Sequence, residues 1–115
     1  MNTQVATIVS AMTFVTQNLL AIGMGDHTIH IWSLHQTYGD IIILRGHSDV
    51  ISTLVTLPDS RLLSGSWDGS ILIWDLKTRT SMTINTGGPV IGLICVSRDT
   101  DLSVLSWHPN CMHVW

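Results

Sequence analysis

"SGSWDGSILIWDL", residues 64–76, is the stretch on which the fold turns. Asp68-Gly69 suits the positive backbone angles of a tight hairpin, and "RLLSGS" (61–66) and "SILIWDL" (70–76) flank it as two strands. Ser66, Asp68 and Trp74 could serve chemistry or hold two strands together. The rest of the chain decides between these roles.

Working outward, the chain repeats itself. Trp32, Trp74 and Trp115 are spaced by 42 and 41 residues. "AIGMGDHTIHIW" (21–32) precedes the first as "SGSWDGSILIW" (64–74) precedes the second, with Asp26 and Asp68 each six residues ahead of the tryptophan. "VLSWHPNCMHVW" (104–115) keeps a Ser-Trp pair and the final Trp, loses the acid and is expected to gain one residue in its turn. Strand signals fill each copy: "VISTLVTL" (50–57), the turn cluster "PDS" (58–60) and a polar "TRTSMTIN" (78–85) complete the second. "ATIVSAMTF", "LLAIGM", "TIHIWS" and "DIIIL" supply the first, and "VIGLICVS" and "LSVLSW" open the third. Helical periodicity is absent. The reading is all-β, four antiparallel strands per repeat: 4–44, 45–85 and an incomplete 86–115.

Composition agrees. Of 115 residues, 45% are hydrophobic and 11% charged, against roughly 25% charged in an average soluble protein. So few charges suit sheets buried on both faces. A net charge of -3 gives no electrostatic reason for nucleic-acid or anionic-membrane binding. Cys95 and Cys111 form no C-x-x-C pair and read as plain thiols of a reducing compartment, cytoplasmic or nuclear. "VATIVSAMTFV" (5–15) lacks a basic leader and reads as a strand, and no apolar run is long enough to span a bilayer.

The second copy, from "RGHSDVISTLVTL" (45–57) through "SGSWDGSILIWDL", resembles a WD40 repeat, with Gly46-His47, Ser66, Asp68, Gly69 and Trp74-Asp75 in place. The resemblance implies a partial β-propeller, its last blade incomplete. It implies a structural tetrad of His47, Ser66, Asp68 and Trp74, with partial tetrads at Asp26 and Trp32 and at Ser106 and Trp115. Val5 and Met24 stand where the first copy should have its histidine and serine; Gly87-Gly88 replaces Gly-His in the third, with His108 or Pro109 at the acid's place. "GDHTIHIW" (25–32) and "GGPVIGLICVSRD" (87–99) are also similar to blades of plant proteins that join a CCCH zinc finger to a WD40 propeller, in which zinc and nucleic-acid binding would belong to a part outside this chain. Three blades do not close a ring of the usual four to eight. A piece of a longer propeller is expected, with assembly of several copies as the alternative.

Competing chemistries are weaker. A Ser-His-Asp hydrolase lacks its G-x-S-x-G elbow, since Gly65 directly precedes Ser66. His108, Cys111 and His113 match no standard zinc frame, and "GMGD" (23–26) opens no helix. No cofactor, metal or catalytic residue is expected. The expectation is a scaffold for a protein or peptide partner, with Trp67, Trp107 and Asp49 as candidate contacts. Trp67 and Trp107 are taken to sit alike, just before the turn, as anchors or as packing for a neighbouring blade.

Overall fold

A computed structural model describes residues 8–34, 42–59, 61–98 and 101–115. No helix occurs among them. The strands are β1 (Val9–Thr16), β2 (Leu19–Met24), β3 (Ile29–Ser33), β4 (Ile42–Leu44), β5 (Ile51–Thr56), β6 (Leu62–Ser66), β7 (Ser70–Asp75), β8 (Thr80–Asn85), β9 (Gly92–Arg98), β10 (Asp101–Trp107) and β11 (Met112–Val114). They form three antiparallel sheets in chain order: β1-β2-β3-β4, β5-β6-β7-β8 and β9-β10-β11. These are two four-stranded blades and a three-stranded third, the all-β partial propeller that the repeats imply.

Strand alternation explains how the sheets stack. In the middle sheet Leu62 pairs with Trp74 and Ser64 with Leu72, so these four share a face, while Leu63-Ile73 and Gly65-Ile71 share the other. The first face packs on blade one: Leu54, Leu62, Leu72 and Trp74 join Val15, Ala21, Ile29, Ile31 and Leu44 in one cluster. The second packs on blade three, where Leu57, Leu63 and Ile71 meet Val90 and Leu93. Both faces of β6 are therefore buried along its whole length.

The innermost strands approach closely at glycine. A Cβ on Gly65 would lie 2.7 Å from Val90 Cγ1, and one on Gly23 would lie 3.1 Å from Ile51 Cγ2. Each marks where the next blade's first strand seats. Side chains add hydrogen bonds across the seams: Thr56 Oγ1 donates to Phe14 O at 2.8 Å and Ser52 Oγ to Val90 O at 2.5 Å. In blade three, register places Gly92, Ile94, Leu105, Trp107, Met112 and Val114 on the face turned away from blade two.

Candidate functional site

The residues of the opening stretch meet, with one substitution among them. His47 Nδ1 lies 3.1 Å from Asp68 Oδ2, and His47 Nε2 lies 2.6 Å from the hydroxyl of Ser64. Trp74 Nε1–H donates to the same hydroxyl at 2.8 Å. The serine between imidazole and indole is therefore Ser64, where sequence reading placed Ser66. Both lie on one face of β6, but the Leu62–Trp74 pairing puts Ser64 diagonally beside the indole. Ser66, at the mouth of the turn, donates to Val50 O at 2.9 Å and accepts Asp68 N–H at 3.1 Å.

The chain of bonds has a direction. Ser64 accepts the indole proton and gives its own to His47 Nε2, so a neutral imidazole carries its proton on Nδ1 and donates to Asp68. Burial lowers the His47 pKa, a shift only partly offset by the Asp68 hydrogen bond and charge. Burial alone would raise the Asp68 pKa; hydrogen bonds from Ser70 Oγ, Ser48 N–H, Ser70 N–H and His47 outweigh it and hold the carboxyl at about 2. Oδ1 takes both Ser70 donors, at 2.6 and 2.8 Å, and Oδ2 takes Ser48 N–H and His47. Every group is paired, the condition under which a buried polar set stabilises. Gly46 precedes His47 because a Cβ there would lie 2.9 Å from Leu72 and 3.1 Å from the Trp74 ring.

Blade three rebuilds the relay with different parts. Register makes Ser106 the counterpart of Ser64, since Trp115 and Val104 exchange backbone hydrogen bonds. Trp115 Nε1–H donates to Ser106 Oγ at 2.8 Å, and that hydroxyl meets His108 Nε2 at 3.1 Å. His108 Nδ1–H then donates to Pro89 O at 2.9 Å. His108 is thus the counterpart of Ser66 rather than of the acid. It ties down the carbonyl before the first strand, as Ser66 does with Val50, and also does the work of His47. The turn is one residue shorter than in blade two, not one longer. Trp107 accordingly matches Gly65, not Trp67: its ring lies over Gly92, where a Cβ would come within 2.0 Å of it.

Blade one is the most reduced. Ile22 occupies the Ser64 register, and Trp32 Nε1 is buried with no hydrogen-bond partner among the described residues. Asp26 keeps the turn as Asp68 does: its carboxylate accepts Thr28 Oγ1 at 2.5 Å and Thr28 N–H at 3.2 Å, and the Thr28 hydroxyl is the main cause of its lowered pKa. His27 takes the left-handed turn position at φ 73°, where blade two has Gly69 at 86°. Val5 lies outside the described residues.

His108 spends both ring nitrogens on the relay, while Cys111 Sγ lies 3.6 Å from His113 Nε2. Among the described residues no three His, Cys, Asp or Glu side chains are placed to share a metal ion. Trp67, half exposed, stands beside a groove of about 280 Å³ lined by Asp68, Gly69, Asn85, Gly87, Gly88 and Pro89. Trp107 is 38% exposed, and Asp49 turns its carboxylate back onto Val50 N–H at 2.7 Å. A larger cavity of about 440 Å³ lies between Val15, Leu19, Arg61 and Leu76; there Arg61 is paired with Asp59 at 2.6 Å.

Residues 39–75 match the family model "WD domain, G-beta repeat". An uncharacterised WD repeat-containing protein of Schizosaccharomyces pombe is 33% identical over 98 residues, which cover 75% of this chain and 26% of that protein. The E3 ubiquitin-protein ligase COP1 of Arabidopsis thaliana is 31% identical over 62 residues, 54% of this chain and 9% of that protein. The chain thus spans about a quarter or less of the length of these relatives. Neither is named for a CCCH zinc finger.

Proposed function

From the premise that this chain carries a WD repeat, we propose that it is a non-catalytic protein-interaction module whose partner docks beside Trp67. The supporting observation is the contrast between the two kinds of polar residue at this end of blade two. Ser64, His47, Asp68 and Trp74 spend their hydrogen-bonding groups on one another and on Ser48 and Ser70, and the Ser64 hydroxyl is fully buried. A nucleophile there would have no path to a substrate. Trp67, one residue from Asp68, instead leaves half its surface in solvent on a hairpin that this relay holds still. A rigid, half-exposed indole is the kind of residue that dominates binding energy at protein interfaces.

Localisation in the cytoplasm or nucleus is part of the same reading, supported by the free thiols of Cys95 and Cys111. Peptides selected against the chain from a random display library test it. Trp67→Ala is expected to weaken the selected peptides tenfold or more while leaving the strand signal in circular dichroism unchanged. Selected peptides that bind the variant as tightly as the parent would refute the assignment.

A further inference from the structure

β8 is the outer edge of blade two: among the described strands it pairs with β7 on one side and with none on the other. Its ladder with β7 runs from Ser70↔Asn85 to Asp75↔Thr80 without a bulge. One step beyond, Thr86 N–H donates to Gly69 O at 2.9 Å, which sets the phase of that ladder. Alternation then turns the backbone groups of Thr80, Met82 and Ile84 toward β7 and those of Ser81, Thr83 and Asn85 outward. Natural proteins blunt such edges with a charge, a proline or a bulge. "TSMTIN" (80–85) has none of the three, and every residue of it except Ile84 is exposed.

The strand's own pattern selects what pairs with it. Two copies meeting antiparallel about a two-fold axis at Thr83 set Thr83 opposite Thr83, Ser81 opposite Asn85 and Met82 opposite Ile84. The three outward-facing residues then all fall in hydrogen-bonded pairs, with a favourable Thr–Thr pair at the centre. Apolar meets apolar on the face turned to blade three, where Ile84 already packs beside Ile73 on the seam cluster. There the second copy's Ile84 covers Met82, which is 68% exposed in the single chain. Lys77 and Arg79 of the two copies lie at opposite ends of the joint, whereas parallel pairing would set like charges side by side. We infer that β8 pairs with β8 of a second copy of this chain, joining two four-stranded blades into one antiparallel sheet across a two-fold axis at Thr83. The joint is small beside a standard interface of about 1,600 Å², so the dimer is a weak one.

Sedimentation equilibrium of the chain over a range of concentrations tests it, with disulfide trapping to report the register. The mass is expected to rise toward that of a dimer. Thr83→Lys, which sets two like charges opposite each other at the axis, should weaken association tenfold or more and leave the circular dichroism unchanged. In a Cys95→Ser, Cys111→Ser background, Thr83→Cys should oxidise to a covalent dimer, because its two copies stand about 5.5 Å apart at Cα, within disulfide reach. Ser81→Cys should cross-link at least tenfold more slowly, since its copies are offset by four residues, roughly 13 Å along the strand. A chain that stays monomeric at every concentration overturns the inference. So does association indifferent to Thr83→Lys, which would place the contact on another surface such as the apolar face of blade one or three. Equal cross-linking of the two cysteine variants would refute the register and the two-fold axis with it.

Discussion

Ser64→Ala and Ser66→Ala differ by two positions on one strand, yet the structure separates their consequences sharply. Removing the Ser64 hydroxyl leaves Trp74 Nε1–H without the acceptor it has at 2.8 Å and His47 Nε2 without the donor it has at 2.6 Å. Both orphans are sealed in, since Trp74 is 3% exposed and the His47 side chain 1%. At roughly 1–3 kcal/mol for each unsatisfied buried group, Ser64→Ala should cost about 2–6 kcal/mol. Ser66→Ala leaves Val50 O with its bond from Trp67 N–H at 3.0 Å and strands only Asp68 N–H, which lies near the turn surface. A net loss of about 1 kcal/mol is expected there. Urea unfolding followed by tryptophan fluorescence and circular dichroism measures both, by linear extrapolation with m held common. A Ser66→Ala loss equal to or larger than that of Ser64→Ala would refute the assignment of Ser64 to the relay.

Acid should weaken the fold in two windows. Above pH 6.5 His47 is neutral whether folded or not; because burial lowers its pKa in the fold, the unfolded chain takes the proton first as pH falls through 6.5, and stability drops. Asp68, held at about 2 against 3.8, contributes fully above 3.8 and loses that contribution as pH falls toward 2. The urea midpoint should therefore decline below pH 6.5, and the decline should be shallower in His47→Gln. Gly92→Ala should destabilise by about 1–3 kcal/mol through its clash with the Trp107 ring. Adding Trp107→Ala should recover most of that loss in a thermal melt.

The repeat made the fold legible. Trp32, Trp74 and Trp115 set the blade spacing, and Asp68-Gly69 located a hairpin whose two strands carry both blade interfaces. The relay was legible in kind but not in register. Ser64 and Ser66 share a face and a residue type, so pattern alone does not choose between them; the diagonal reach from Trp74 does. Counting pairs back from the turn would have found it, because Leu62 opposite Trp74 leaves Ser64 one diagonal step away. The same slip aligned Ser106-Trp107 with Ser66-Trp67 and so treated Trp107 as a twin of Trp67. His108 was harder to foresee: a histidine from the hairpin standing in for one before the first strand leaves no periodic trace.

A double-mutant cycle between His47→Ala and Trp74→Phe tests most directly whether the four side chains act as one unit. The two residues do not bond each other; they meet only through the Ser64 hydroxyl. Losses of stability that fall short of additive by about 1 kcal/mol or more are predicted, because either change alone already breaks the chain of bonds. Additivity to within about 0.3–0.5 kcal/mol, the behaviour of independent sites, would contradict it.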